Sequence, residues 1–278
     1  MLLSLVSKPK KLINYLIDSL ATIRYLRTLM YYVANRSEGL EYTSYGVADE
    51  VSLALSFADR AWGGVVIDAG ANKGEWSRLF LSGKPNLEKL IIIEPQNIHQ
   101  PSLKNLSGSD PRIAIEQAAI GALTEQLKLY TDGKGSSLAS FYERDLSHVG
   151  AGMTHHVIVH VTILDALAEK HGLSHVNFLK LDLEGHELEA LKGSKNLLER
   201  KAIDTIMFEF GGCNIDSRTY IKDFWSLLVH QHQFSFYRLL PRRRLKFFSR
   251  YSESLEQFSW QNILACSPAI KPSWTILE

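Results

Sequence analysis

The chain is poor in cysteine: its 278 residues carry two, Cys213 and Cys266, far apart in sequence. Such a pair builds no disulfide framework and points to a reducing compartment. A dominant charge is missing as well, with 31 Lys and Arg against 30 Asp and Glu. No global field favours nucleic acid or acidic ligands, so nucleic acid is not an expected partner. The opening Met-Leu-Leu-Ser-Leu-Val-Ser-Lys-Pro-Lys-Lys places apolar residues before basic ones. A secretory signal has the reverse order, and this run is too short to span a bilayer. The expectation is a cytoplasmic protein that touches a membrane surface peripherally at most. Internal repeats, low-complexity tracts and Pro-rich linkers are absent too, which favours one catalytic domain.

What is present is an ordinary globular composition, 45% hydrophobic and 22% charged, long enough to bury a sizeable core. Over residues 11–33 apolar side chains recur at helical spacing (Ile13, Leu16, Leu20, Ile23, Leu26, Met30, Val33), accompanied by Lys8, Lys10, Lys11, Arg24 and Arg27. This predicts a basic amphipathic extension over 1–41, which either packs on the body or lies on an anionic surface. From Val65 onward strands alternate with helices, the pattern of a mostly parallel sheet over 42–278. Strands are expected at 65–70, 90–94, 112–118, 157–161, 176–182 and 203–210. Residues 126–130 and 137–141 are expected as an inserted hairpin about Asp132-Gly-Lys-Gly. Helices are expected over 75–81, 165–172, 186–198 and 220–229, with 234–239 and 261–265 as the closing edge pair.

Three sites carry chemistry. Asp68-Ala-Gly-Ala-Asn-Lys-Gly74 lies between a strand and a helix. Gly70 and Gly74 let the backbone approach a ligand, and the following helix N-terminus offers free N–H groups. A dinucleotide loop would read Gly-x-Gly-x-x-Gly; Asn72 replaces its middle glycine and Gly74 closes it early. Asp68 would repel a pyrophosphate and attract an ammonium. S-adenosylmethionine (SAM) presents that ammonium and no phosphate. Glu94 ends the second strand, where a carboxylate can accept hydrogen bonds from both ribose hydroxyls. Lys180-Leu-Asp-Leu-Glu-Gly-His-Glu187 ends the central strand, and charges concluding a buried strand are costly unless paired or functional. It reads as a catalytic segment or as a salt-bridged helix cap.

Asp68-Ala-Gly-Ala-Asn-Lys-Gly74, Ile93-Glu-Pro95, Ala119-Ile-Gly121, Gly135-Ser-Ser-Leu138, Thr162-Ile-Leu-Asp165, Phe178-Leu-Lys-Leu-Asp-Leu-Glu-Gly-His-Glu187 and Leu191-Lys-Gly193 follow in this order. Together they resemble the FkbM family of SAM-dependent methyltransferases over roughly 65–210, with a weaker echo at Asn262-Ile-Leu-Ala265. The resemblance implies a Rossmann-like class I methyltransferase fold, a seven-stranded sheet whose last strand is antiparallel. It also implies SAM as cofactor and O-methylation of a sugar, glycan or natural product. By position, Asp68, Ala69 and the loop Gly70, Ala71, Asn72 and Gly74 would hold the methionine part of SAM, Glu94 the ribose, and Asp182 would lie beside the methyl centre. The family's Thr-Leu-Asp is interrupted by Ile163.

A hydroxyl acceptor needs a base; Asp182, Glu184 and His186 are the candidates, with His186 the most natural near neutral pH. Ser136 and Ser137 are expected on the acceptor side. His155, His156 and His160 fall short of the convergent ligands a metal site needs, and no metal is expected. The basic run Arg238, Arg242, Arg243, Arg244, Lys246 and Arg250 reads as a solvated loop or an anion-binding surface. Two other classes remain: a SAM- or nucleotide-binding module without transferase activity, and an NAD-dependent oxidoreductase, weakened by the missing middle glycine.

Overall fold

The computed structural model describes residues 22–40, 46–58, 64–83, 85–133 and 135–277, together with Ile13, Ile17 and Leu20. Twelve strands follow in chain order: β1 (Gly64–Ala69), β2 (Leu87–Ile93), β3 (Ile113–Glu116), β4 (Ala119–Ile120), β5 (Glu125–Thr131), β6 (His155–Thr162), β7 (Val176–Leu181), β8 (Ile203–Phe210), β9 (Ser235–Leu240), β10 (Arg244–Phe248), β11 (Gln261–Cys266) and β12 (Thr275–Leu277). Nine of them form one sheet in the order β12-β10-β9-β11-β8-β7-β1-β2-β3. From β3 to β9 this is the expected seven-stranded sheet: β1, β2, β3, β7 and β8 run parallel, and β11 enters antiparallel between β8 and β9. The fold is that of a class I methyltransferase, α/β and Rossmann-like, preceded by helical segments.

Side-chain alternation decides which groups meet. Along β1, Val65, Ile67 and Ala69 enter one buried cluster, while Val66 enters the cluster on the opposite face beneath helices Gly46–Ala58 and Glu75–Ser82. Asp68 follows Val66 onto that second face. Leu90 and Ile92 of β2, Phe178 of β7, Met207 of β8 and Leu264 of β11 share it. Two residues beyond the register row Ile92, Lys180, Met207 and Leu264, the same alternation puts Glu94, Asp182, Glu209 and Asn262 along one edge. The apolar runs of these strands therefore fix where the polar groups emerge.

The sequence reading needs four corrections. β5 does not fold back on 137–141: its partner is β6, paired from Glu125↔Val161 to Thr131↔His155, and β4 completes a separate three-stranded sheet. The expected return arm contributes one bridge, Tyr130↔Ser140, because the chain turns locally where the Gly133 N–H meets Thr131 Oγ1 at 3.0 Å. The helix expected over 186–198 splits into Glu187–Lys192 and Lys195–Glu199. Asp165 from the Thr162-Ile-Leu-Asp stretch causes the restart, accepting from Asn196 N at 2.7 Å and Leu197 N at 3.0 Å. Residues 220–229 form Ile221–Phe224, continued by a π-helical stretch Trp225–Gln231. Finally, β9 and β11 are interior strands. Part of the basic run forms β10, which buries Leu245 and Phe248 against β9, and β12 makes the edge.

Of the extension, Arg24–Glu38 is a helix. Residues 11, 12, 14–16, 18, 19 and 21 and the boundary at 41–42 lie outside the described residues, as do Lys8 and Lys10. No described helix is long and apolar enough to cross a membrane.

Candidate functional site

A cleft of about 480 Å³ opens at the ligand-binding end of β1, β2, β7 and β8. Its first wall is the turn after β1. Gly70 and Ala71 donate their N–H groups to Ile93 O at 3.0 and 3.1 Å, which folds this turn over the end of β2. Gly70 has φ +83°, and a Cβ on it would sit 1.8 Å from Asp182 O, so only glycine lets the β1 and β7 turns touch. Glu94 closes this wall: one carboxylate oxygen accepts from Asn72 N at 2.9 Å, the other from Gln96 N at 2.8 Å. Burial lifts its carboxyl to about 7, against the pull of those two N–H groups. Gly70, Ala71, Asn72 and Glu94 all line the cleft, whereas Asp68, Ala69 and Gly74 do not.

Asp68, expected at the methionine part of the cofactor, lies beneath the cleft and not in its lining. Carried inward by the alternation of β1, it is fully buried; Ser77 Oγ donates to one oxygen at 2.6 Å, and Lys180 Nζ stands 3.6 Å from the other. An ammonium-containing ligand in the cleft does not reach it directly. Lys180 links it to the cleft by donating to Asp182 Oδ2 at 2.9 Å. Burial opposes the charge on Lys180, yet Asp182, Asp68 and Glu50 together hold it protonated above its ordinary range. The ammonium thus fixes the Asp182 carboxylate at the centre of the cleft.

The turn after β7 is built on a buried acid. Glu187 accepts from Leu183 N at 2.8 Å and Gly185 N at 3.3 Å, and burial raises its carboxyl to about 8. Gly185 has φ +100°, with Cys213 O 2.8 Å from where a Cβ would fall. Asp182, Leu183 and Glu184 line the cleft. Arg144, itself 3.3 Å from Asp216, pairs with Glu184. Burial and the neighbouring Asp182 still lift the Glu184 carboxyl to about 7.

His186 is the second departure from expectation, since it does not line the cleft. It is buried behind the turn, with Nδ1 3.1 Å from Tyr142 Oη and its ring 4.6 Å from Phe141. Burial holds it neutral, down to about 4.

Besides Asn262 of the weaker echo, the cleft holds groups that the sequence reading passed over: Glu50, Met207, Glu209 and Trp260. Glu50 comes from the helix before β1 and accepts from Asn262 Nδ2 at 2.7 Å; burial raises it to about 7. Burial, with Asp182 and Glu184 nearby, pushes Glu209 well above the usual carboxylate range, and Trp260 hydrogen-bonds to it. A lone acid in the apolar run Ile203-Asp-Thr-Ile-Met-Phe-Glu-Phe210 was the available signal. Ser136 and Ser137 line the same cavity as expected, the Ser136 carbonyl accepting from Gln96 Nε2 at 2.9 Å.

Among the described residues, Glu184, Glu209 and Cys213 bring ligand atoms within 4.8 Å of one another; Arg144 already supplies positive charge beside Glu184. His155, His156 and His160 stand exposed on β6.

The cleft's lining from Gly70 to Glu209 and the motifs that carry it fall within residues 68–236, which match the family model for the methyltransferase FkbM domain; Glu50, Trp260 and Asn262 lie outside that match. The chain belongs to the FkbM methyltransferase family. This FkbM methyltransferase is similar in fold to an FkbM methyltransferase from Methylobacillus flagellatus KT, with 16% identity, a TM-score of 0.46, and coverage of 73% of this chain and 43% of that one. It therefore spans less than half of that chain. The C-terminal domain of precorrin-6Y C5,15-methyltransferase from Rhodobacter capsulatus gives 13% identity, a TM-score of 0.40 and coverage of 82% and 91%. The METTL16 methyltransferase domain gives 13%, 0.42, and 83% and 85%. No curated protein matches the chain.

Proposed function

We propose that this FkbM methyltransferase transfers a methyl group from SAM to a hydroxyl of a sugar, glycan or natural-product acceptor. The observation that carries this reading is a single cleft joining two chemically distinct halves. One half pairs a glycine turn with a strand-end carboxylate; the other collects proton-accepting groups.

The donor set suits SAM. Gly70, Ala71 and Asn72 give a close backbone wall without a nest for pyrophosphate, Glu94 is set for ribose hydroxyls, and Asp182 presents a carboxylate to a cation. Asp68 acts one step removed, through Lys180. When bound, SAM supplies an electrophilic methyl on a sulfonium. The protein's own groups then hold the acceptor in line and take its proton. Asp182 is braced by Lys180 and Glu184 by Arg144, which suits both to orientation. Glu209, hydrogen-bonded to Trp260 beside Asp182 and Glu184, is the base of this reading in its ionised form, and its raised proton affinity makes that form grow as pH rises. His186 serves packing.

Calorimetry with SAM, S-adenosylhomocysteine and NAD tests the cofactor. The expected result is binding of the first two and none of NAD; binding of NAD alone would turn the reading to an oxidoreductase.

A further inference from the structure

Outside the cleft, the helix Arg24–Glu38 has no buried residue. Tyr25, Leu29, Tyr32 and Val33 recur at helical spacing and are 86%, 56%, 58% and 56% exposed. Single exposed apolar residues are ordinary, but a continuous stripe marks a contact surface. Ile23, Leu20, Ile17 and Ile13 extend the exposed apolar character toward the N-terminus.

The helix is clamped to the body at its end. Arg238 Nη1 donates to Glu38 O at 3.2 Å and lies 3.3 Å from Glu38 Oε2; Lys246 reaches the same carboxylate, and Leu40 is buried. The only acid of this helix is therefore consumed in holding it to β9 and β10. The clamp sets the apolar stripe beside a groove of about 560 Å³ where Tyr32, Val33 and Arg36 meet Arg242 and Arg244, with Asp49 as the one acid. Arg242 and Arg243 form an exposed turn with φ +63° and +56°. Arg24 and Arg27 lie on the helix itself, and the sequence before Glu38 holds six cations and one acid, Asp18. Residues 200 positions apart thus build one surface, apolar along the helix and positive around it.

We propose that this surface docks on a lipid bilayer carrying anionic headgroups. The apolar stripe would enter the headgroup boundary, and the arginines would face the lipid phosphates. Charge complementarity selects this occupant: a helix face made for a second copy of the chain would bring like-charged arginines together.

Sedimentation of the full chain with vesicles of phosphatidylcholine, alone or mixed with phosphatidylglycerol, tests the proposal. Binding is expected to the mixed vesicles only, and to weaken with added salt. Arg24→Gln/Arg27→Gln/Arg242→Gln should lower it roughly 100-fold, at about fivefold per charge. Leu29→Glu/Val33→Glu should abolish it, with melting temperatures unchanged because both positions are exposed. Equal binding to neutral vesicles, no binding to either, or binding indifferent to both variants would overturn it. So would a concentration-dependent dimer that Leu29→Glu/Val33→Glu dissolves.

Discussion

Glu94 does two things with one carboxylate: it ties the β1 turn to the β2 end, and it faces the cleft. Each oxygen spends one lone pair on a backbone N–H and keeps another for a ligand. Replacing Glu94 with Ala should lower SAM affinity about 10- to 100-fold, the loss expected from hydrogen bonds to a charged group. Calorimetry on the folded variant checks this, and unchanged affinity would remove Glu94 from the ribose. For the proton, Glu209→Gln should reduce turnover by about 10²- to 10⁴-fold while SAM affinity stays near wild type. His186→Ala should leave turnover nearly intact and act on stability, through the packing it shares with Phe141 and Tyr142. A large loss of kcat in His186→Ala would return the base to the histidine. The place of Glu94 in the cleft wall was legible in the sequence because a strand end and a spacing define it. That His186 lies outside the cleft lining was not legible, because the sequence does not say which way a turn residue faces. Glu209 was passed over because it gains meaning only when β8 pairs with β7.

At the scale of an element, the turn joining β7 to the helix Glu187–Lys192 depends on a buried carboxyl. The ordinary value of Glu187 is 4.5, and burial raises it to about 8. The folded protein thus keeps a proton that the unfolded chain has released, so this contribution to stability is full below the unfolded value and lost as pH rises through the folded one. Stability should fall from weakly acidic to weakly alkaline pH, by up to about 1.4 kcal/mol per pH unit for one such proton. Glu50, Glu94 and Glu184 are raised in the same direction. The difference between wild type and Glu187→Gln isolates Glu187: urea midpoints measured across this range should fall less steeply in the variant. Parallel slopes would mean that Glu187 is ionised in the fold. Elements differ in how readable they were. β1, β2, β7 and β8 are short apolar runs between helical stretches and declare themselves. The pairing of β5 with β6 does not, because the turn signal at Asp132-Gly-Lys-Gly is local and the true partner lies beyond a long connection. β10 was hidden by Arg244 and Lys246, which leave only Leu245 and Phe248 to mark the buried positions.

For the whole molecule, the order of the strands matters more than any one motif. Pairing β1 with both β2 and β7 brings the glycine turn, Glu94 and Asp182 to one edge, and placing β11 beside β8 adds Glu209 and Asn262 to it. The helix before β1 completes the cleft with Glu50. The glycine turn and Glu94 therefore share one cavity with Asp182, Glu209 and Asn262, as the proposed transfer between two bound molecules requires. The most direct test of this account supplies the purified chain with methyl-labelled SAM and fractionated glycan and small-molecule extracts, and follows label in the products. The account predicts incorporation into a hydroxyl-bearing acceptor by wild type, with loss of that incorporation in Glu209→Gln although the variant still binds SAM. SAM bound by wild type without consumption in any fraction would contradict it and leave a binding module.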